Sequence, residues 1–173
     1  MILSLNNKDN ITLCGMMGSG KSAVGKILAK KINFNFIDTD KLIEEKTGKS
    51  ISKIFDEDGE NKFRKIEQTI ICDILQNKKI IVSLGGGAII NSETRKIINK
   101  NSFSIYLNVK IDILKKRLKH SNNRPLIFGK DLHQALTEIF KKREKFYKKT
   151  DLIITNEKNI NETVNNIIKN IIL

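Results

Sequence analysis

The sequence predicts an α/β fold, in which a mainly parallel sheet lies between layers of helices. Short apolar segments alternate along the chain with longer segments of helical period. Several of the apolar segments are continuous, which is typical of parallel strands buried on both faces. The chain has 173 residues, of which 39% are hydrophobic, enough for one domain with a core. Ligand sites are expected at the carboxyl ends of the strands.

The predicted elements alternate in the order strand, helix, strand. The strands are ITLCG (11–15), FNFID (34–38), IIVSLG (80–85), FSIYLNV (103–109) and DLIIT (151–155). The helices lie at 21–32, from about Glu60 to Gln76, at 92–100, at 109–119 and at 131–149. This alternation favours parallel pairing. The segment 121–130 follows neither period and contains the only proline, so it is predicted to be a surface loop or lid.

The composition excludes several classes of protein. Two cysteines, Cys14 and Cys72, and two histidines are too few for a disulfide scaffold or a zinc site with four cysteine ligands. No apolar run approaches the roughly 18 residues of a membrane span, and residues 1–10 show no signal-peptide pattern. We therefore expect a cytoplasmic protein with no membrane partner.

The net charge of +13 is distributed unevenly along the chain. Residues 110–150 carry +9, from 13 basic and 4 acidic side chains. Such a lysine surplus more often covers solvated faces than binds a polyanion. The chain has only five arginines, and these carry more weight in the search for a site. A planar guanidinium grips a carboxylate or a phosphate through two hydrogen bonds, which a lysine ammonium cannot do.

The strongest motif is GMMGSGKS at 15–22, which matches the P-loop pattern G-x-x-x-x-G-K-[ST] at every fixed position. A predicted strand precedes it and a predicted helix follows. Backbone N–H groups and the helix N-terminus can therefore converge on phosphate oxygens. In this pattern Lys21 contacts the outer phosphates and the Ser22 hydroxyl binds Mg²⁺. The motif predicts a nucleoside polyphosphate but leaves the acceptor open, and a plain glycine turn is the alternative.

Two aspartates at the end of the second strand are the candidate carboxylates. The third strand ends in serine and glycines, where many P-loop proteins have an acidic residue. Asp38 can therefore lie beside Mg²⁺, while Asp40 reaches an acceptor hydroxyl as general base or orienting group. The alternative is that one of the two serves only as the N-cap of the helix containing DKLIEEK.

A glycine run and two arginines are further candidates for the acceptor site. The glycines at 85–87 permit close approach of a small polar substrate to the main chain. Arg64 and Arg143 could bind a carboxylate. The alternatives are a tight turn for the glycines, a helix-surface ion pair of Arg64 with Glu60 or Glu67, and a solvated helix face for Arg143. Together these groups suit a hydroxylated substrate that bears a carboxylate.

The ordered set of motifs resembles shikimate kinase over essentially the whole chain. It comprises the P-loop, FIDTD (36–40), GExxFRxxE (59–67), SLGGGA (83–88), RPL (124–126) and R-x-x-x-Y (143–147). The resemblance implies ATP-dependent phosphorylation of the 3-hydroxyl of shikimate, in the pathway to chorismate and aromatic amino acids. It also implies a P-loop NTPase fold of the nucleoside-monophosphate-kinase type, three-layer α/β/α with five parallel strands. One domain, 1–173, would contain a substrate-binding segment at about 39–67 and a lid at about 118–131.

The resemblance also implies roles for individual residues. Those implied to bind shikimate are Asp40, Arg64, Gly85, Gly86, Gly87 and Arg143, with the arginines on its carboxylate. Those implied to bind ATP are Gly18, Ser19, Gly20, Lys21, Ser22, Ala23, Arg117 and Arg124, with Arg117 against the adenine. Mg²⁺ would be served by Ser22 and, through water, Asp38, and catalysis by Lys21, Asp40 and Arg124. Lys158 stands where some relatives place another arginine near the adenine. Shikimate and ATP are the expected partners of a monomer that binds no nucleic acid.

Three alternatives accompany this interpretation. A related small P-loop kinase would act on gluconate or on a nucleoside monophosphate, although no base-recognition feature is visible in the sequence. A basic nucleic-acid-binding module would bind oligonucleotides in a salt-sensitive manner, but aromatic residues make up only 6% of the chain. An inactive regulatory member of the family would lack some of the motif residues, and all of them are present.

Overall fold

The computed structural model describes residues 4–119 and 131–172, and it contains the predicted five-stranded parallel sheet. The strands are β1 (Asn10–Cys14), β2 (Asn35–Asp38), β3 (Ile80–Ser83), β4 (Ser102–Asn108) and β5 (Leu152–Thr155). Their order across the sheet is β2-β3-β1-β4-β5, and every pairing is parallel. The three central strands are almost completely buried, as their continuous apolar sequences predict.

Helices cover both faces of the sheet and bury two hydrophobic clusters. They are α1 (Lys21–Ile32), α2 (Thr39–Thr47), α3 (Ile51–Ile74), α4 (Ser92–Asn101), α5 (Ile111–Leu118), α6 (Leu132–Tyr147) and α7 (Ile160–Ile171). A short 3-10 helix, Ala88–Ile90, precedes α4. One cluster joins the sheet to α1 and α7, and the other joins it to α2 through α6. The predicted three-layer α/β/α architecture is therefore confirmed.

Helix α3 begins earlier than the sequence analysis predicts. The helical period indicated a start near Glu60, whereas α3 begins at Ile51, where the Ser50 side chain accepts a hydrogen bond from Lys53 N–H. Gly59 divides the helix, because its φ of 79° and ψ of 165° are not helical. Glycine adopts this backbone conformation without the steric cost that a side chain would add. The predicted helix is thus the second half of a longer, broken one.

The strand register brings the ends of three neighbouring strands to one edge of the sheet. Asp38 at the end of β2 lies opposite Ser83 at the end of β3, and Leu13 of β1 also lies opposite Ser83. The P-loop follows β1 and the glycine run follows β3, so both emerge beside Asp38. None of the helices in the described part of the chain is both long and apolar enough to cross a membrane.

Candidate active site

The P-loop turns tightly between β1 and α1, and its glycines make that turn possible. Gly20 has a φ of 89° and precedes the first helical residue. A Cβ at Gly20 would lie 2.6 Å from Asn156 Nδ2, and one at Gly15 would lie 2.8 Å from Leu107 O. Both positions therefore require glycine for space as well as for backbone conformation. Gly20 at the N-cap has no side chain to cap α1, and the N-terminus of a helix is a favourable place for an anion.

The side chain of Lys21 folds back over the start of the P-loop. Its Nζ donates hydrogen bonds to the carbonyl oxygens of Gly15, at 3.1 Å, and Met16, at 3.0 Å. These contacts hold the ammonium group beside the turn of the loop, where the P-loop pattern requires it to meet phosphate. The predicted phosphate-binding residues from Gly18 to Ser22 are thus placed together, and Ala23 is exposed in the first turn of α1.

Asp38 connects β2 to the P-loop side of the site. The Ser22 hydroxyl donates a hydrogen bond to Asp38 Oδ2 and lies 3.3 Å from the Ser83 hydroxyl. The other oxygen of Asp38 caps α2 by accepting from Lys41 N–H at 3.4 Å. One carboxylate oxygen of Asp38 therefore acts as the N-cap of α2, and the other accepts from Ser22, while its role beside Mg²⁺ stays a prediction. Hydroxyl and carboxylate oxygens beside a phosphate loop are the ligand types that Mg²⁺ prefers.

The glycine run after β3 brings the charged side chains of the site together. Each glycine faces a different set of neighbours: Asp40 and Glu67 at Gly85, Arg143 at Gly86, and Arg64 at Gly87. A Cβ at Gly85 would lie only 2.7 Å from Asp40 Oδ1. The absence of side chains at this turn thus lets two acidic and two basic groups approach the same stretch of main chain. All the residues predicted for the acceptor site meet here.

Arg64 forms an ion pair with a buried carboxylate. Its Nη1 donates to Glu67 Oε2 at 2.6 Å, and its Nη2 donates to the more exposed Glu60 at 3.0 Å. The side chain of Glu67 is only 2% exposed, so this is more than the helix-surface pair considered as an alternative. Burial raises the pKa of Glu67, although the nearby Arg64 opposes that shift. Oε1 of Glu67 has no hydrogen-bond partner within the described residues.

Arg143 and Tyr147 form the back of this cluster. Arg143 is 4% exposed, so it is not on the solvated helix face that was its alternative. The Tyr147 hydroxyl donates to Gly86 O at 2.6 Å, and its ring stacks on Tyr106 with centroids 4.9 Å apart. Burial raises the pKa of Tyr147 well above its usual value, which keeps the hydroxyl a proton donor. One turn of α6 thus places a guanidinium and fixes a peptide of the glycine run.

Thr39 is a positioning residue that the sequence analysis did not identify. It is fully buried between the two candidate aspartates. Its hydroxyl donates to Ser83 O at 3.2 Å and accepts from Gly85 N–H at 2.9 Å. Because these bonds join the start of α2 to the end of β3, they fix Asp40 relative to the glycine run. The sequence signal that could have identified Thr39 is a hydroxyl residue that stands between two aspartates at the end of a strand.

Comparison with known proteins identifies the family. The sequence model of the shikimate kinase family matches residues 17–172. The chain belongs to the shikimate kinase family. It is 41% identical to the shikimate kinase of Chlorobaculum tepidum over 170 residues, which is 93% of this chain and 89% of that protein. A solved structure of the Acinetobacter baumannii shikimate kinase in complex with shikimate matches with a TM-score of 0.91 and 31% identity, covering 94% of this chain and 92% of that one.

One of the alternative kinase classes shares only the fold. A gluconokinase structure from Sinorhizobium meliloti matches with a TM-score of 0.58 and 16% identity, covering 91% of this chain and 87% of that one. The higher values for shikimate kinases agree with the motifs around the acceptor site. Membership of the shikimate kinase family therefore rests on the sequence and the structure together.

Arg117, which is predicted to bind ATP, donates hydrogen bonds to two backbone carbonyl groups. Arg117 donates from Nη1 to Gly18 O at 3.2 Å and from Nη2 to Asn156 O at 2.9 Å. Lys158 is exposed in the connection between β5 and α7. Arg124 lies outside the described residues, as does most of the predicted lid, so its role remains a prediction.

Substituting Gly87→Ala should weaken shikimate binding and also lower stability, because the displaced Arg64 is the ion-pair partner of the buried Glu67. The φ of Gly87 is −99°, which alanine adopts readily, but the new Cβ would lie 2.7 Å from Arg64 Cζ. The guanidinium must move away, so we expect KM for shikimate to rise about tenfold, the effect of roughly 1.4 kcal/mol. Steady-state kinetics and thermal unfolding would measure both effects. If the Cβ acts through Arg64, it should add little to the KM of an Arg64→Ala variant.

Proposed function

We propose that this chain transfers the γ-phosphoryl group of ATP to the 3-hydroxyl of shikimate, giving shikimate 3-phosphate and ADP. The observation that carries the proposal is the position of Asp40. This carboxylate lies next to Gly85 at the edge of the sheet where the P-loop also emerges. A phosphoryl donor on the loop and an acceptor on the glycine run would therefore meet at Asp40.

The acceptor end suits a small polyhydroxylated carboxylic acid. Arg64 and Arg143 would hold the carboxylate through paired hydrogen bonds. The main chain at Gly85, Gly86 and Gly87 would contact the ring of the substrate. Arg143 is the more deeply buried of the two arginines, and Arg64 keeps its position through Glu67. This arrangement supports shikimate, the substrate in the name of the family, as the phosphoryl acceptor.

The chemistry requires little covalent work from the protein. Asp40 would orient the 3-hydroxyl and accept its proton as the oxygen attacks the γ-phosphorus. Lys21, and Arg124 from the predicted lid, would stabilise the negative charge on the transferring group. Gly18, Ser19, Gly20, Ser22 and Ala23 would bind the remaining phosphate oxygens, with Arg117 against the adenine. Catalysis then consists of positioning and of charge stabilisation.

The metal cofactor proposed for the reaction is Mg²⁺. Ser22 would supply a direct oxygen ligand, and Asp38 would act through a water molecule. When bound, the ion neutralises charge on the outer phosphates of ATP. The hydrogen bond between Ser22 and Asp38 supports the assignment because it already places a hydroxyl and a carboxylate side by side at the loop.

We further propose that the chain acts as a cytoplasmic monomer. One domain would span 1–173, with the substrate-binding segment at about 39–67 and the lid at about 118–131. Cys14 and Cys72 are free thiols, which suits a reducing compartment. Neither a nucleic acid nor a membrane is needed for the proposed activity.

The direct test is an assay of ADP production with Mg·ATP. Parallel reactions would contain shikimate, gluconate, AMP or no acceptor. We expect rapid turnover with shikimate and only background rates in the other three reactions. Turnover with gluconate or AMP instead would move the assignment to another small P-loop kinase. If folded protein shows no turnover with any acceptor, the proposed activity is wrong.

Substituting Arg143→Lys should raise KM for shikimate about tenfold or more and change kcat much less. A lysine keeps the positive charge but loses the two parallel hydrogen bonds of a guanidinium. The missing interaction contributes to binding in both the ground state and the transition state, so its loss appears mainly in KM. The KM for ATP measured in the same experiment is the internal control. An unchanged KM for shikimate would contradict the carboxylate-binding role.

A further inference from the structure

The side chain of Asn156 links the P-loop to the last helix of the fold. Asn156 directly follows β5 and is 4% exposed. Its Nδ2 donates to Ser19 O at 2.7 Å, while its Oδ1 accepts from the Thr163 hydroxyl of α7 at 2.8 Å. Its backbone is held as well, because its N–H donates to Asn108 O at 3.0 Å. The amide group is therefore fixed in one orientation, with its donor toward the loop.

The bond to Ser19 determines the direction of one peptide group in the P-loop. In a planar trans peptide, the carbonyl and the following N–H point in opposite directions. Because Ser19 O points toward Asn156, the N–H of Gly20 points away from it. The contact is close, since Asn156 Nδ2 occupies the space that a Cβ at Gly20 would enter. Asn156 thus determines the direction of the Gly20 N–H, in the part of the loop that is proposed to bind phosphate.

The preceding peptide of the loop is held by the same cluster. Arg117 donates to Gly18 O, and the N–H of Ser19 donates to Met16 O at 3.1 Å. Arg117 in turn donates to the backbone carbonyl of Asn156. The side chain and the main chain of Asn156 therefore support two successive peptide groups, one directly and one through Arg117.

We propose that Asn156 is a positioning residue for nucleotide binding, which acts through the Ser19 peptide and Arg117. This inference rests on the proposed nucleotide site and adds a residue that none of the motifs contains. A loop whose peptide groups are held in place before the ligand arrives loses less conformational freedom on binding. Asn156 should therefore increase affinity for ATP and ADP and leave shikimate binding unchanged.

The test is the substitution Asn156→Asp. It preserves the size of the side chain and the oxygen that faces Thr163, but it puts a carboxylate oxygen against the Ser19 carbonyl. We expect Kd for Mg·ADP, measured by calorimetry without acceptor, to rise at least tenfold. We expect a similar rise in KM for ATP, with KM for shikimate within twofold of the original value. A nucleotide Kd within twofold of the original would overturn the proposal.

Asn10 provides a matched control at the opposite end of the sheet. It is 1% exposed, its Nδ2 donates to Asn77 O at 2.7 Å, and its Oδ1 accepts from Ile80 N–H at 3.1 Å. The substitution Asn10→Asp makes the same chemical change in an equally buried, fully bonded amide. Both variants should unfold at lower temperature, but only Asn156→Asp should bind nucleotide more weakly. An equal loss of nucleotide affinity in both variants would show a general structural effect and overturn the proposal.

Substitutions at Thr163 provide a second test of the proposal if the Asn156→Asp variant does not fold. Thr163→Val removes the hydroxyl that orients the amide of Asn156, whereas Thr163→Ser retains it. We expect Kd for Mg·ADP to rise about threefold in Thr163→Val and to stay unchanged in Thr163→Ser, and equal values would overturn the proposal. Because ADP binding needs no acceptor, a chain that binds ADP but does not phosphorylate shikimate would refute only the proposed function.

Discussion

Substituting Lys21→Ala should lower kcat/KM for ATP by about 10³-fold or more. A buried or partly buried cation that faces developing phosphoryl charge contributes an effect of this order. Lys21 also bonds to the carbonyls of Gly15 and Met16, so its loss removes a contact that shapes the loop as well as the charge. ADP should therefore bind more weakly too. Steady-state kinetics and ADP titration would separate these two effects.

Lys26→Ala is the matched control for this prediction. Lys26 lies on the same helix, α1, but its side chain is exposed. The Lys26→Ala substitution should leave both kcat and ADP affinity within twofold of the original values. A Lys21→Ala variant with more than a tenth of the original kcat/KM would contradict the role of Lys21 in the transition state.

Substituting Asp40→Asn should lower kcat by about 10² to 10⁴, the contribution expected of a positioned proton acceptor. Asparagine preserves the shape of the side chain and can still form a hydrogen bond with the substrate hydroxyl. KM for shikimate should therefore change much less than kcat. The measurement is ADP production at saturating ATP over a range of shikimate concentrations.

The control for Asp40→Asn is Glu45→Gln in the same helix. Glu45 is exposed on α2, so removing its charge should leave the kinetic constants unchanged. If Asp40→Asn raises KM for shikimate without lowering kcat, Asp40 binds the substrate but does not take its proton. In that case the proposed general base is wrong, although the acceptor site stands.

Local patterns in the sequence were sufficient to predict the sheet and the P-loop that follows its first strand. Continuous apolar runs identify strands buried on both faces, and the P-loop pattern combines glycine requirements with two functional side chains. Helix α2 entered only as the alternative in which one of the two aspartates is an N-cap. The first half of α3 was missed, and the non-helical backbone of Gly59 separates it from the half that was predicted. Asp38 shows a different limit, because the N-cap role and the site role were treated as alternatives, whereas its two carboxylate oxygens contact α2 and Ser22 at the same time.

The supporting contacts of the site could not be predicted, because they join residues that are distant along the chain. Asn156 bonds to Ser19 across 137 positions, and it belongs to a segment that shows no motif. In the sequence, Glu67 was visible as an ion-pair partner of Arg64 and as the last residue of GExxFRxxE, but not as a buried carboxylate. Its burial depends on how α3 packs against the glycine run, which no local pattern encodes. Such residues become identifiable only when the packing of the elements is known.

The edge position of β2 has a consequence for substitutions at the acceptor site. Strands β1, β3 and β4 form the centre of the sheet, whereas β2 pairs on one side only and leads directly into α2 and α3. The P-loop follows a central strand, but Asp40 and Arg64 belong to this marginal segment. Substitutions in this segment can therefore change two of the groups predicted for the acceptor site without disturbing the most buried pairings. The glycine run and Arg143 lie outside the segment, after a central strand and on α6, so that part of the predicted site is tied to the interior of the fold.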